Sequence, residues 1–270
     1  MEDTIKIGLC GLGTVGSGVF ELLQENADLI RNRIGRNIIV SRVATLDRYD
    51  NLGLDLSKTQ VSDSVDDILR DPEINIVVEL IGGKTIAKKI VLESLQKGKS
   101  AVTANKALLA EYTEEIFQAA YRSKGNLGFE ASVAGGIPIV RSIKQGFSGD
   151  RIDKFMGIVN GTANYILSAM SSEGVDFDQA LNDAQKKGYA EADPTFDIEG
   201  IDAAHKVIIL MALSFNGLFD FSQLYVEGIT GIESIDIAIA EESGYAIKLL
   251  GCAARTENGY EGKVCPRSEE

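Results

Sequence analysis

A single histidine, three cysteines and four prolines stand among 270 residues, and acidic side chains outnumber basic ones by 40 to 27. Each shortage excludes something. One histidine, His205, rules out a multi-histidine metal site within one chain. Cys10, Cys252 and Cys265 are widely spaced and form no CxxC pair, which fits a reduced compartment without a disulfide framework. Four prolines leave no room for a proline-rich linker. A net charge of −13 argues against a nucleic-acid partner, because phosphate backbones are met by clustered Lys and Arg. No N-terminal stretch combines the charged and apolar regions of a signal peptide, and no apolar run approaches the ~20 residues of a membrane span. The expected compartment is the cytoplasm, with no membrane partner.

What is present is ordinary globular material, 44% hydrophobic and 25% charged. A chain of this length buries roughly three-quarters of its unfolded surface. In the first half, strand-like and helix-like segments alternate. Ile5–Leu9 reads as a strand, followed by a long helical stretch through Arg33. Ile38–Ala44, Ile74–Ile81, Ser100–Thr103 and Leu127–Val133 read as further strands, with helices at Ser64–Leu69, Ile86–Gln96 and Tyr112–Arg122 between them. Such alternation implies right-handed βαβ units and a parallel sheet. After Ala134-Gly135-Gly136-Ile137-Pro138 the character changes. Strand candidates Lys154–Val159 and Leu224–Ile229 bracket helices at Ala163–Met170, Phe177–Lys186 and Ile198–Phe215, an α+β pattern. The expected class is α/β: a Rossmann-type parallel-sheet domain over residues 1–137, then an α+β domain over residues 138–270.

Gly11-x-Gly13-x-x-Gly16 stands directly after a predicted strand and opens a predicted helix. The first glycine makes the tight turn, the second lets backbone approach a pyrophosphate, and the third lets helix and strand pack closely. Thr14 and Val15 complete the turn, and the helix start offers N–H groups and a positive dipole end to an anion. The acid that grips an adenosine ribose is expected at the end of the second strand, where Asp47 stands. Asp47 favours NAD, whereas adjacent Arg48 suits the NADP phosphate, and both also read as solvated loop charges. Cys10, inside the turn, reads as a small buried filler.

Asp202 and Lys206 are four apart and share one helical face, on which Ile209 and Leu213 follow. The segment Val207–Leu213 is apolar on every side, as in a buried helix. The pair reads either as an ordinary i,i+4 ion pair or as a functional pair at a buried helix entrance, where charge is costly unless paired or used. The nearby carboxylates Glu191, Asp193 and Asp197 favour the second reading. A lysine whose ammonium form burial disfavours can take a proton from an alcohol and return it to a carbonyl. The acidic cluster can hold an amino group. Lys106 follows Ala104-Asn105 at the end of a predicted parallel strand, where open α/β sheets place ligands, although a solvent-facing lysine at a helix start reads equally well. Thr162 reads as a helix N-cap, and His205, off the Lys206 face, as a core-packing or surface-contact residue rather than a catalytic one.

Longer strings carry a resemblance. They are Gly8-Leu-Cys-Gly-Leu-Gly-Thr-Val-Gly16, Val102-Thr-Ala-Asn-Lys-Ala-Leu-Leu-Ala110 and Glu130-Ala-Ser-Val-Ala-Gly-Gly-Ile-Pro138. Gly157-Ile-Val-Asn-Gly-Thr-Ala-Asn-Tyr-Ile166 follows, then Gly188-Tyr-Ala-Glu-Ala-Asp-Pro-Thr-Phe-Asp-Ile-Glu-Gly-Ile-Asp-Ala-Ala-His-Lys206. In this order, over nearly the whole chain, they resemble homoserine dehydrogenase. The resemblance implies an NAD(P)-dependent oxidoreductase that interconverts L-homoserine and L-aspartate 4-semialdehyde on the route to threonine and methionine. It implies Lys206 as the acid/base residue with Asp202 beside it, Glu191 and Asp197 lining the substrate site, and Lys106 between cofactor and substrate. It further implies a monovalent cation, usually sodium, on backbone oxygens at Glu130, Val133, Gly135 and Ile137, and a homodimer formed through the second domain.

The chain departs from the family at its end. Members continue past the position of Cys265-Pro266 with further strands and a glycine-rich segment, whereas this chain ends at Glu270. That leaves a catalytically silent, shortened, cofactor-binding homologue as the alternative expectation. Dehydrogenases of another amino acid or semialdehyde are a further alternative. The acylating kind needs a catalytic cysteine, and Cys252 and Cys265 stand in no recognisable nucleophile setting.

Overall fold

In the computed structural model the described residues are 4–46 and 52–270, and they fall into two compact units, Met1–Gly136 and Ile137–Glu270. The first unit is built on six short strands: β1 (Ile5–Cys10), β2 (Ile38–Ala44), β3 (Gln60–Ser62), β4 (Ile76–Glu79), β5 (Ser100–Thr103) and β6 (Leu127–Gly128). All pairings are parallel, in the order β3-β2-β1-β4-β5-β6. That is the doubly wound arrangement, and its strand order reverses between β1 and β4, where such sheets open a crevice at the carboxyl ends of the strands. Gly11 and Leu80 leave the sheet on the two sides of this crevice.

Apolar strands buried on both faces make this core. Ile7, Leu9, Val40, Val43 and Val78 pack with Phe20 on one face, while Cys10, Ala44, Val77, Ile68, Ile74 and Ile90 pack on the other. The helices of this unit are α1 (Thr14–Glu25), α2 (Ala27–Ile34), α3 (Val65–Arg70), α4 (Thr85–Gln96), α5 (Lys106–Glu111) and α6 (Thr113–Arg122), and α1, α3 and α4 supply Phe20, Ile68 and Ile90. The single helix expected through Arg33 is two. Asn26 turns both its backbone N–H and its side-chain amide onto the Leu22 carbonyl (3.1 Å each), which ends α1. The strand expected over Leu127–Val133 stops at Gly128, because Ser132 folds back on the Phe129 carbonyl (Oγ at 2.6 Å) in a 3-10 turn. Burial pushes the Cys10 thiol up to about 12, helped by the nearby Glu79 carboxylate, so the filler reading of Cys10 matches its surroundings.

The second unit begins with a short turn, α7 (Ile139–Arg141), and carries α8 (Gly161–Glu173), α9 (Phe177–Lys186), α10 (Thr195–Ile198), α11 (Ile201–Phe215) and α12 (Ser234–Glu242). These pack on a mixed sheet, β7-β9-β10-β8, made of β7 (Lys154–Gly157), β8 (Tyr225–Val226), β9 (Ala246–Thr256) and β10 (Gly259–Glu269). Its centre is the long antiparallel β9–β10 hairpin, which the sequence reading did not mark. Glycines at 251 and 262 and a proline at 266 read as strand breakers, yet the glycines are there for contact. A Cβ on Gly251 would stand 2.5 Å from Val207 Cγ2, and one on Gly262 would stand 2.4 Å from Met211 Sδ. Both neighbours lie on the apolar stretch of α11, so the sheet receives this helix closely where it has no side chain of its own.

Two outcomes follow. Gly251→Ala should lower stability by about 1–3 kcal/mol through overpacking, whereas Gly157→Ala, which meets nothing within 4 Å, should leave the unfolding midpoint nearly unchanged. Equal denaturation midpoints for the two variants would contradict this close-approach account. In thiol labelling of the native chain at pH 8, Cys265, only partly buried, should react ahead of Cys10. Cys10 should become reactive on unfolding, and prompt native labelling there would overturn the buried-thiol assignment.

Candidate functional site

In the first unit the glycine turn has the form that a pyrophosphate needs. Gly11 takes φ +94, and a Cβ there would meet the Leu80 carbonyl oxygen at 2.7 Å. A Cβ on Gly16 would lie 2.1 Å from the Gly11 oxygen, so helix and turn touch backbone to backbone. Gly13 instead faces open space, the place where a side chain would obstruct a ligand. No side chain caps the start of α1, and its first turn, with Thr14 and Val15, holds no acidic residue that would repel an anion. A cavity of about 590 Å³ opens beside this turn, lined by Gly11, Gly13, Leu46, Asp63, Ile81 and Ile86 among others. These residues fit a dinucleotide. Asp47 and Arg48 lie outside the described residues. Asp63, which follows β3, is an acid on this cavity that the sequence reading did not name.

Lys106 is the first residue of α5, and its place is set by Asn105. The Asn105 side chain accepts from Leu108 N (3.0 Å) as the N-cap and donates to the Gly83 carbonyl (2.6 Å), tying the turn after β5 to the turn after β4. Asn105 N donates in turn to Thr103 Oγ1 (3.0 Å), and Thr103 Oγ1 donates to Glu79 Oε2 (2.6 Å). Glu79 ends β4, is 1% exposed, and takes the Ile81 and Gly82 N–H groups on Oε1 at 3.0 and 3.2 Å. A carboxylate interrupting the apolar run Ile76-Val-Val-Glu-Leu-Ile81 was the available signal for it.

The second unit gathers Asp197, Asp202 and Lys206. Lys206 Nζ donates to Asp202 Oδ2 (2.5 Å) and to the Val159 carbonyl in the connection between β7 and α8 (2.6 Å). Asn160 links the acids, with Nδ2 donating to Asp197 Oδ1 (2.7 Å) and to Asp202 Oδ2 (2.8 Å). Its Oδ1 accepts from Ala163 N (2.8 Å), so Asn160 and not Thr162 is the N-cap of α8. Thr162 is already helical and spends its hydroxyl on the Tyr189 carbonyl. Asn160 is 2% exposed and Asp202 6%, so their polar atoms depend on one another. The Asn-Gly pair after a strand, three residues ahead of Ala163, was the signal for this cap.

Close packing fixes the turn that carries the acids. Gly200, at φ +78, starts α11 against Val226 and Val264 of the sheet, and a Cβ on Gly228 would meet the Ile198 oxygen at 2.2 Å. Ile229 N donates to that same oxygen (2.7 Å). Asn164, a turn further along α8, behaves as a strand edge. It exchanges both amide bonds with the Leu249 backbone (2.9 and 3.0 Å), beyond the last β7–β9 pair at Gly157 and Gly251.

Not every expected residue joins this cluster. Glu191 is exposed on a loop whose carbonyl accepts from Gln185 (3.0 Å), and no hydrogen bond ties its carboxylate to Lys206 or Asp202. Asp193 turns back on the start of α10, accepting from Thr195 N and Oγ1, and those bonds hold its carboxyl below the usual range. His205 packs its ring between Phe196 and Phe221, with centroids at 6.2 and 4.9 Å. Glu130, Val133 and Gly135 lie in the first unit and Ile137 opens the second, on a segment where Ala134 and Gly136 take φ of 51 and 81. Among the described residues no group of three or more His, Cys, Asp or Glu is arranged for a metal, a set distinct from backbone oxygens.

Comparison with known proteins agrees with this division. Residues 11–130 match the family model described as homoserine dehydrogenase, NAD binding domain, and residues 138–269 match the model described as homoserine dehydrogenase. The homoserine dehydrogenase of Pseudomonas aeruginosa is 49% identical over 97% of this chain and 60% of its own length. A homoserine dehydrogenase crystal structure from Thiobacillus denitrificans superposes with a TM-score of 0.92 at 48% identity, covering 99% of this chain and 62% of that one. A structure from Archaeoglobus fulgidus, assigned provisionally to the same enzyme, gives 0.86 at 33% identity and covers 98% of this chain and 84% of that one. The chain spans about 60% of the length of the curated relatives it matches. With two family models in succession and relatives alike in sequence and fold, the chain belongs to the homoserine dehydrogenase family.

Proposed function

We propose that the chain binds NAD or NADP at the Gly11–Gly16 turn and interconverts L-homoserine and L-aspartate 4-semialdehyde, in the formation of threonine and methionine. The observation that carries this reading is the buried Asp202 carboxylate shared by Lys206 and Asn160. A buried ion pair with its remaining atoms hydrogen-bonded is costly to build and serves little as a surface bridge. At the mouth of a buried helix beside a second carboxylate, it suits recognition of an amino alcohol. NAD(P)+, when bound, supplies the hydride acceptor. Asp197 and Asp202, with Glu191 from its loop, bind the substrate ammonium. Lys206 takes the hydroxyl proton in oxidation and returns it in reduction, and Val159 O fixes where its Nζ stands. Lys106 contributes to catalysis from the first turn of α5. A monovalent cation is proposed on backbone oxygens at Glu130, Val133, Gly135 and Ile137, in support of which the chain twice takes positive φ there.

Among the described residues no helix is long and apolar enough to cross a membrane. The three free cysteines support a cytoplasmic setting, and a homodimer through the second unit is the proposed assembly, which light scattering would test. The matched relatives lend no support to a catalytically silent homologue.

The direct test follows nicotinamide absorbance with L-homoserine and NAD+ or NADP+, in sodium or potassium buffer. Homoserine-dependent reduction is expected, the faster dinucleotide gives the preference, and binding without reduction would sink the proposed activity. Lys206→Ala should lose about 10²–10⁴-fold in kcat with its circular dichroism retained, and Lys106→Ala should also fall strongly. Near-normal turnover in either would remove that residue from the scheme. Asn160→Ala should cost about 1–3 kcal/mol of stability from unmatched carboxylates and lower kcat/KM for homoserine at least about tenfold. An unchanged kcat/KM in the folded variant would count against its positioning role.

A further inference from the structure

We propose that Glu79 is a positioning residue that sets the dinucleotide site by locking the turn after β4 to the turn after β5. This rests on the reading of the glycine turn as the dinucleotide site. Glu79 is 1% exposed, and a carboxylate withdrawn from water is unfavourable unless its oxygens are matched. All its recorded bonds are with neutral donors: the Ile81 and Gly82 N–H groups on Oε1 and the Thr103 hydroxyl on Oε2. Those donors stand in the turn after β4 and on the last residue of β5, at the carboxyl ends of adjacent strands, where this sheet type places ligands. An apolar residue at the end of β4 would complete the core at lower cost and would leave both turns unpinned.

The consequences reach the glycine turn and Lys106. The segment held by Oε1 is the one that lies against Gly11, since a Cβ on Gly11 would meet Leu80 O at 2.7 Å and Ile81 N at 3.0 Å. Ile81 also lines the cavity beside the turn. From Oε2 the connection runs through Thr103 Oγ1 to Asn105 N, and the Asn105 side chain then reaches back to Gly83 O and caps the helix that Lys106 begins. The bonds form a closed ring: Glu79, Thr103, Asn105, Gly83 and back along the chain. A ring of this kind has one geometry, so the wall of the cavity and the backbone of Lys106 are placed together.

The test is dinucleotide affinity of the full chain by calorimetry, with NAD+ and NADP+ in turn, for wild type, Glu79→Gln, Asn105→Ala and the double variant. Thermal melts run alongside. Glu79→Gln keeps the shape and the acceptor for Ile81 and Gly82 but sets an amide N–H₂ against Thr103, whose hydroxyl loses the carboxylate it donates to. It should fold with a near-normal melting temperature and bind the dinucleotide about tenfold more weakly, the worth of one buried hydrogen bond. Its effect should be non-additive with that of Asn105→Ala, because both cut the same ring. Wild-type affinity in folded Glu79→Gln, or strict additivity, overturns the proposal and leaves the dinucleotide site standing. Absence of binding by wild type overturns the dinucleotide reading itself and this proposal with it. Should Glu79→Gln fail to fold, Thr103→Val cuts the ring at its hydroxyl, with the same weakening expected and unchanged affinity equally fatal.

Discussion

A carboxylate with almost no access to water dictates much of the second unit. Asp202 opens α11, a helix otherwise apolar enough to be buried against the β9–β10 hairpin, and its charge must be met where it stands. Lys206, one turn on, meets it from the same helix, and Asn160 meets it from the cap of α8. Asn160 can do so only because β7 ends a few residues earlier and the chain turns directly into α8, and Lys206 is steadied by the last carbonyl of that same connection. Strand end, helix cap and helix start are thus joined through one buried anion.

Backbone contact at glycines makes such joints possible. In the second unit Gly251 and Gly262 let α11 settle onto the sheet, while Gly228 lets the chain after β8 press on the turn that carries Asp197. In the first unit Gly16 touches Gly11 and Gly11 touches Leu80, which closes the walls of the crevice at the strand-order reversal. Both units place polar groups at the ends of strands and hold them with neighbouring turns. The strands themselves remain apolar and supply rigidity.

Much of this was legible in the residues. The alternation of apolar runs and helical periods yields the parallel sheet, because β1, β2 and β4 are short runs rich in β-branched residues and flanked by turn residues. The glycine spacing yields the dinucleotide turn, and the i,i+4 pair yields Asp202 with Lys206. The hairpin was not legible, since Gly251, Gly262 and Pro266 read as breakers until Val207 and Met211 are seen across from them. Three-residue β3 was too short to show alternation. Asn160 and Glu79 escaped for a different reason: each acts through partners 37 to 42 and 24 residues away, respectively, and no local pattern encodes such pairings. Thr162 reads as the cap because hydroxyls favour helix starts, whereas the amide two residues earlier holds that place.

In the proposed site the Asp197–Asp202 pair reads the ammonium group of an amino alcohol presented to Lys206. Comparing L-homoserine with 4-hydroxybutanoate, the same alcohol without its amine, tests this most directly. Charged hydrogen bonds of this kind contribute about 1.5–3 kcal/mol each, so kcat/KM for the amine-free alcohol should fall at least about tenfold, with more of the difference lost in Asp197→Asn. Equal kcat/KM for the two alcohols would contradict the claim, because the carboxylates would then have no part in recognising the substrate.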